Sequence, residues 1–249
     1  MVHGHFSSKA TSGVLSRLQD LVLEAADAEE FSEELAAFSA HLLARPGEEL
    51  QCNVMVVRRK KPMFVASSTP RAKEMDELQL AFGQGPCLSA MRTKTTVHVP
   101  DVSTERRWLN YIRAVAGKGF GSILGIPLPL EGNSSAALNI YSSRAHAFSG
   151  EDIARAEAFG EQSATALRLE LRLAQLQQAK DDLHLAMATR TAVNTAVGAV
   201  MAQNGCTQSA AMAILIRASN SRNVKLRDVA AGVIGSISPG TDVVTYFDE

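Results

Sequence analysis

Any fold for this chain must accommodate a long helix that opens at Ser149 and meets its stop signal at Asn204-Gly205. Ser149 is a candidate N-cap, with Asp152 at the capping-box position three residues on. Leu169, Leu173, Leu176, Lys180, Leu183 and Met187 then alternate four- and three-residue steps. That spacing is a coiled-coil seam with one polar position. Unbroken to Asn204, the helix would span about 80 Å at about 1.5 Å per residue. No small domain buries the stripe of so long a helix. A second copy of the chain completes the seam best, which predicts a parallel homodimer. Antiparallel pairing with a short N-terminal helix around Leu15 is the intramolecular alternative.

The far end of this helix opens a small three-helix unit. Val193, Val197, Val200 and Met201 share one helix face. Asn204-Gly205 stops that helix, and Thr207 is a candidate N-cap for the next. Ala211, Ile214, Leu215 and Ala218 form a second stripe, followed by polar turn residues from Asn220 to Asn223. Leu226, Val229, Ala230 and Val233 form a third, ended by Gly235-Ser236. Between Arg190 and Ile237 the cations are Arg190, Arg217, Arg222, Lys225 and Arg227, against Asp228 alone. This surplus sits in a chain whose net charge is −1. Such asymmetry marks either a site for an anionic partner, nucleic acid being the commonest, or a solvated face of a small bundle.

Composition narrows the classes. At 249 residues, 46% hydrophobic and 20% charged, the chain reads as one or two soluble domains with material for a core. No apolar run reaches the roughly 18–20 residues of a membrane span. Met1 to Gly13 lacks the apolar segment of a signal peptide, so the expected compartment is the cytoplasm. Cys52, Cys87 and Cys206 form no Cys-x-x-Cys pair, which suits a reducing compartment. No metal-ligand spacing stands out beyond the His3-Gly4-His5 tip, which reads as a loose end. No metal or cofactor is expected.

The N-terminal part mixes helices and strands. Leu15, Leu18, Val22 and Leu23 suggest a short helix capped by Ser12. Phe31, Leu35, Phe38 and Leu42 mark a clearer one, ended by Pro46-Gly47. Cys52–Val57 and Met63–Ser67 read as a hairpin across the basic turn Arg58-Arg59-Lys60-Lys61-Pro62. That turn is a hairpin tip on a sheet edge or a nucleic-acid patch. Arg71–Phe82 carries Met75, Leu78 and Phe82 at helical spacing. Gly83-Gln84-Gly85-Pro86 is a poor phosphate loop, because Pro86 lacks an N–H and position 88 is Leu. Thr96–Val99 is a short strand, Arg106–Ala116 a helix, and Ser122–Leu130 and Ala136–Tyr141 two further strands. The order implies an antiparallel sheet with helices on its faces, an α+β domain. No serine triad, His-Glu-x-x-His or Walker loop is present, so no enzyme is expected from motifs.

Two resemblances organise these readings. Arg190…Val193, Ala196-Val197-Gly198, Met201, Gly205-Cys206-Thr207, Leu215…Asn220 and Lys225–Ala230 resemble the ANTAR domain. That family comprises three-helix RNA-binding modules of bacterial transcription antiterminators. Position 197 is Val where the family pattern usually has Lys. The Gly-Gln-Gly-Pro-Cys turn, the Val-Pro-Asp step at 99–101 and the Phe148–Asp152 helix entry resemble a GAF domain. The organisation expected is a tail and short helix at 1–30, a GAF-like sensor at 31–170, a coiled-coil linker at 165–189, an ANTAR domain at 180–237 and a tail at 238–249.

The ANTAR resemblance implies RNA hairpin loops as partner, paired by the dimer so that a terminator stem cannot form. It assigns Arg190, Arg217, Arg222, Lys225 and Arg227 to RNA backbone. Ser219, Asn220 and Asn223 are candidates for loop bases, with local backbone hydrogen bonding as the rival role for the turn asparagines. The GAF resemblance implies a central pocket, for which Trp108, Tyr111 and Phe120 are candidate walls or core aromatics. Because some GAF-fold proteins reduce methionine sulfoxide with pocket cysteines, Cys52 and Cys87 are weighed as thiols against buried packing. The alternative function is a GAF ligand sensor whose helical tail binds protein rather than RNA.

Overall fold

The computed structural model describes residues 8–58 and 61–237. The chain divides into two compact units, Met1–Ala174 and Gln175–Glu249. The His3-Gly4-His5 tip, Arg59 and Lys60 of the basic turn, and the tail at 238–249 lie outside the described residues.

The first unit is a five-stranded antiparallel sheet. Its strands are β1 (Leu50–Arg58), β2 (Lys61–Ser67), β3 (Val97–Val99), β4 (Ser122–Leu128) and β5 (Ser134–Ser142), in the order β2-β1-β5-β4-β3. The expected hairpin forms, with Arg58 opposite Lys61, and β2 is a sheet edge. The central strands are apolar on both faces, the signature of a sheet covered on both sides. Cys52, Val54, Val56, Leu124, Ile126, Leu138 and Ile140 face one cluster. It also holds residues of α1 (Ser8–Glu24), α2 (Ala28–Leu43) and the start of α6 (Gly150–Asn204). Ile123 and Tyr141 face the opposite side, packing with α3 (Pro70–Phe82), α4 (Pro86–Thr93) and α5 (Leu109–Val115). Met55 and Ala137 join Cys87 on that same side.

Several local expectations shift. α1 begins before Ser12, and it buries Val14, Leu18, Leu21 and Val22 while Leu15 and Leu23 stay exposed. Asp27 caps α2 by accepting from the N–H groups of Glu29 and Glu30, both at 2.9 Å. On α3 the buried face is Ala72, Met75, Asp76 and Gln79, and Phe82 is exposed. The glycine-rich stretch ends in a helix, α4, for which Pro86 supplies a favourable first-turn residue. α5 starts later than Arg106, because Glu105 Oε1 accepts from the Arg106 and Arg107 N–H groups at 2.8 and 2.7 Å. The capping box forms: Asp152 Oδ2 accepts from Ser149 N–H at 2.8 Å, and Ser149 Oγ accepts from Asp152 N–H at 3.3 Å. Gly160 lets α6 lie against β4, since a Cβ there would stand 2.6 Å from Ile126 Cγ2.

The second unit closes three helices on one core. The end of α6 contributes Val193, Ala196, Val197 and Val200; α7 (Gln208–Arg222) contributes Ala211 and Leu215; α8 (Leu226–Ile237) contributes Val229, Ala230 and Ile234. Thr207 caps α7, its Oγ1 accepting from Ala210 N–H at 3.3 Å. Ile214 is exposed, and α8 runs past Gly235-Ser236 to Ile237. Leu169, Leu173, Leu176, Leu183 and Met187, the residues expected to form a seam, are 37–63% exposed. No described helix is long and apolar enough to cross a membrane.

Candidate functional site

Four of the basic residues of the second unit fall into two pairs. Arg222 and Lys225 flank Asn223 at the α7–α8 turn, where all three are exposed. Asn223 ends α7 in the left-handed region at φ 51°, a conformation asparagine tolerates. The Asn223 and Val224 N–H groups donate to Asn220 and Ser219 carbonyls at 3.3 and 3.1 Å, and Ser219 Oγ donates to the Val224 carbonyl at 2.6 Å. Ser219 and Asn223 thus build the turn that presents Arg222 and Lys225, while the Asn220 side chain faces solvent. Arg217 is exposed on α7.

Arg190 and Arg227 form the second pair. They line an open groove of about 610 Å³ with Asp182, Leu185, Ala186, Thr189, Val193, Asn194 and Met212. Arg227 Nε lies 3.4 Å from Asp228 Oδ1. Asn194, Asp182 and Met212 are not legible as site residues from helical periodicity, which sees one helix at a time. Val197 is 3% exposed and packs in the three-helix core. The departure from the usual Lys therefore places an apolar residue in the interior rather than removing a cation from this surface.

The first unit carries a buried polar cluster. Fully buried Asp76 accepts from Asn139 Nδ2 at 2.8 and 3.0 Å, from Gln79 Nε2 at 2.8 Å and from the Tyr141 hydroxyl. Gln79 Oε1 accepts from Cys87 N–H at 2.7 Å. Asn53, opposite Asn139 on the neighbouring strand, donates to the Ala72 carbonyl. Burial pushes the Asp76 carboxyl up to about 6, and the hydrogen bonds it accepts hold it from rising further. Among the described residues, Asn53 Oδ1 and Asn139 Oδ1 are buried there without a hydrogen-bond partner. Asn53 and Asn139 stand inside apolar strand runs, and that was the available sequence signal, because a buried amide requires a partner.

The three aromatic candidates share one core cluster beside these groups. Trp108 Nε1 donates to Ser89 Oγ at 3.1 Å, and Arg107 stacks on its ring at 4.5 Å. The Phe120 ring lies 5.2 Å from that of Tyr141, with Arg71 stacked on it at 4.3 Å. Phe120 also forms part of the wall of a surface cleft of about 420 Å³ that includes Arg106 and Arg113. Cys52 and Cys87 face opposite sides of the sheet, and burial pushes both thiols well above the ordinary range. Two thiols separated by a strand layer do not form an exchanging pair.

A GAF domain family model matches residues 14–168, and an ANTAR domain model matches residues 181–234. No curated protein matches the chain. Among solved structures, the GAF domain of a phosphoenolpyruvate-protein phosphotransferase from Coxiella burnetii is 19% identical, with a TM-score of 0.51, covering 70% of this chain and 99% of its own. The N-acylhomoserine lactone dependent LuxR family factor CepR2 from Burkholderia cenocepacia is 19% identical, with a TM-score of 0.50, covering 67% and 99%. A free methionine-R-sulfoxide reductase from Neisseria meningitidis is 17% identical, with a TM-score of 0.48, covering 70% and 98%. At these identities the likeness is one of fold.

Proposed function

This chain belongs to the GAF domain family and has the GAF–ANTAR architecture, and from that premise we propose that it is an RNA-binding regulator of transcription antitermination. ANTAR domains are known as RNA-binding antiterminator domains, and GAF domains as sensors. The observation that carries the reading is a coincidence of position. The ANTAR match at 181–234 takes in Arg190, Arg217, Arg222, Lys225 and Arg227 against Asp181, Asp182 and Asp228, and from Arg190 onward Asp228 is the one acid facing all five cations.

Each ANTAR unit holds an RNA hairpin loop. Arg190, Arg217, Arg222, Lys225 and Arg227 neutralise phosphates, and Asn220 reaches loop bases. Ser219 and Asn223 act by shaping the turn that carries Arg222 and Lys225. The chain works in the cytoplasm as a parallel homodimer through Leu169, Leu173, Leu176, Leu183 and Met187. The exposure of all five supports this, since a lone helix gains nothing from a leucine stripe in water. Two loops held in series keep the transcript out of its terminator stem. The GAF domain is the sensor, with Asp76 and the aromatics Trp108, Tyr111 and Phe120 around its polar centre.

The test is fluorescence anisotropy with paired RNA hairpins across a salt series. Affinity is expected to fall steeply with salt, and Arg227→Ala is expected to weaken binding and lower the log–log salt slope by about one. Binding that ignores salt, or no binding to any paired hairpin, overturns the reading.

A further inference from the structure

We propose that the groove between α6, α7 and α8 is a pocket for a single unstacked nucleotide of the RNA loop, and that Asn194 and Asp182 read its base. This inference rests on the RNA-binding function proposed above. It adds a site and a division of labour that the cation pattern alone does not contain.

The lining has three chemistries in one place. The floor is apolar: Val193 is buried, and Met212 packs against the three-helix core from α7. Arg190 from α6 and Arg227 from α8 flank it. The polar edge is Asn194 and Asp182, also on α6. A phosphate alone has no use for an apolar floor, and an apolar peptide side chain has no use for two guanidiniums. A nucleotide uses all three. Its base lies face-down on Met212 and Val193, its edge meets an amide, and its phosphates meet the two arginines. The volume of about 610 Å³ is within the range of pockets for ligands of that size.

The edge chemistry narrows the base. Asn194 offers one donor and one acceptor, the pairing that adenine satisfies through adjacent donor and acceptor atoms. The Asp182 carboxylate accepts only. Its Oδ1 already takes the Gln178 amide at 2.9 Å, and Oδ2 can take one more N–H. A base with an exocyclic amino group fits this pair, whereas uracil would set a carbonyl against the carboxylate. On α6, Asp182, Ala186, Thr189 and Val193 make a stripe one residue out of phase with Leu183 and Met187 and so about 100° around the helix, while Arg190 and Asn194 form the groove's edge on the side of that leucine stripe.

The experiment measures the full-length chain by anisotropy against hairpins that differ at one loop position at a time, including an abasic substitution. Wild type is expected to lose about ten- to a hundredfold at one position when its base is removed or replaced by uracil. Asn194→Ala and Met212→Ala are expected to bind the original and altered hairpins alike at that position. Arg222→Ala, outside the groove, is expected to weaken all hairpins by one common factor. Asn194 is exposed, so its truncation leaves the core intact, and circular dichroism verifies this. If Asn194→Ala retains full base discrimination, or loses the same factor on every hairpin, the pocket assignment falls while RNA binding stands. If wild type binds no hairpin, the antitermination reading falls and takes the pocket with it.

Discussion

Replacing Asp76 with Asn should flatten the acid side of the stability profile of the GAF unit. Asp76 is fully buried, and its carboxyl is held up to about 6 against an ordinary value of 3.8. The native value lies above the unfolded one. The contribution of this acid is therefore full below about pH 3.8 and is lost as pH rises through about 6. At about pH 5 the native carboxyl is mostly protonated while the unfolded one is mostly ionised. One pH unit below the native value corresponds to about 1.4 kcal/mol relative to pH 8. An amide carries no titratable proton, so Asp76→Asn lacks that increment. The side chain has a way to fit: Asn139 can turn its amide so that its unpartnered Oδ1 accepts from the new group. Asp101, Glu105 and Asp152 are all held below the ordinary range and push stability the other way on acidification. They are common to both proteins and cancel in the difference. The assay is urea unfolding followed by fluorescence of Trp108, the single tryptophan, which lies in the core of this unit. Wild type should gain about 1.4 kcal/mol on the variant between about pH 8 and about pH 5. Parallel profiles would refute the argument that this carboxyl is protonated within the fold.

Three further substitutions probe other links. Gly160→Ala sets a methyl 2.6 Å from Ile126 Cγ2 and should cost about 1–3 kcal/mol in urea unfolding, and an unchanged stability would contradict the close approach of α6 to β4. Val197→Lys should lower the stability of the three-helix unit by about 2 kcal/mol or more, read by amide hydrogen exchange at α7 and α8, because its ammonium would start from a buried position. It should not raise RNA affinity, and a gain without loss of protection would contradict the core placement. Leu176→Lys with Leu183→Lys should turn a dimer into a monomer in sedimentation equilibrium, with the Trp108 spectrum unchanged. A dimer that survives both charges is held by another surface.

The periodic parts of this molecule were the legible ones. β1 and β5 read as strands from their apolar runs, and the ends of α6 and α7 were marked by Gly205 and Thr207. Phase was harder than existence. On α7, Ile214 and Leu215 are adjacent and equally apolar, and which one faces inward depends on where α6 and α8 lie. On α3, the apolar trio Met75, Leu78 and Phe82 outvoted an acid and an amide, yet the fold buries Asp76 and Gln79. Their partners come from strands more than sixty residues away, at Asn139 and Tyr141, and no local window contains both. α4 was missed because eight residues behind Gly85-Pro86 hold too few turns to show a period. The leucine stripe of α6 was visible because a heptad is a purely local pattern. The groove was not, because it exists only where three helices meet.

The distribution of thiols gives this chain a native chemical handle. Cys52 and Cys87 are sealed in the sheet unit with their thiols held in the protonated form, whereas Cys206 is partly exposed at the α6–α7 turn. A maleimide dye should therefore attach at a single place in the folded protein without any engineered cysteine. That place lies within the ANTAR match, on the turn that Thr207 caps. Under the RNA-binding function proposed above, labelled protein would report hairpin encounters by a change in dye brightness. Reagent uptake at a second or third sulfur would signal that the sheet unit has opened.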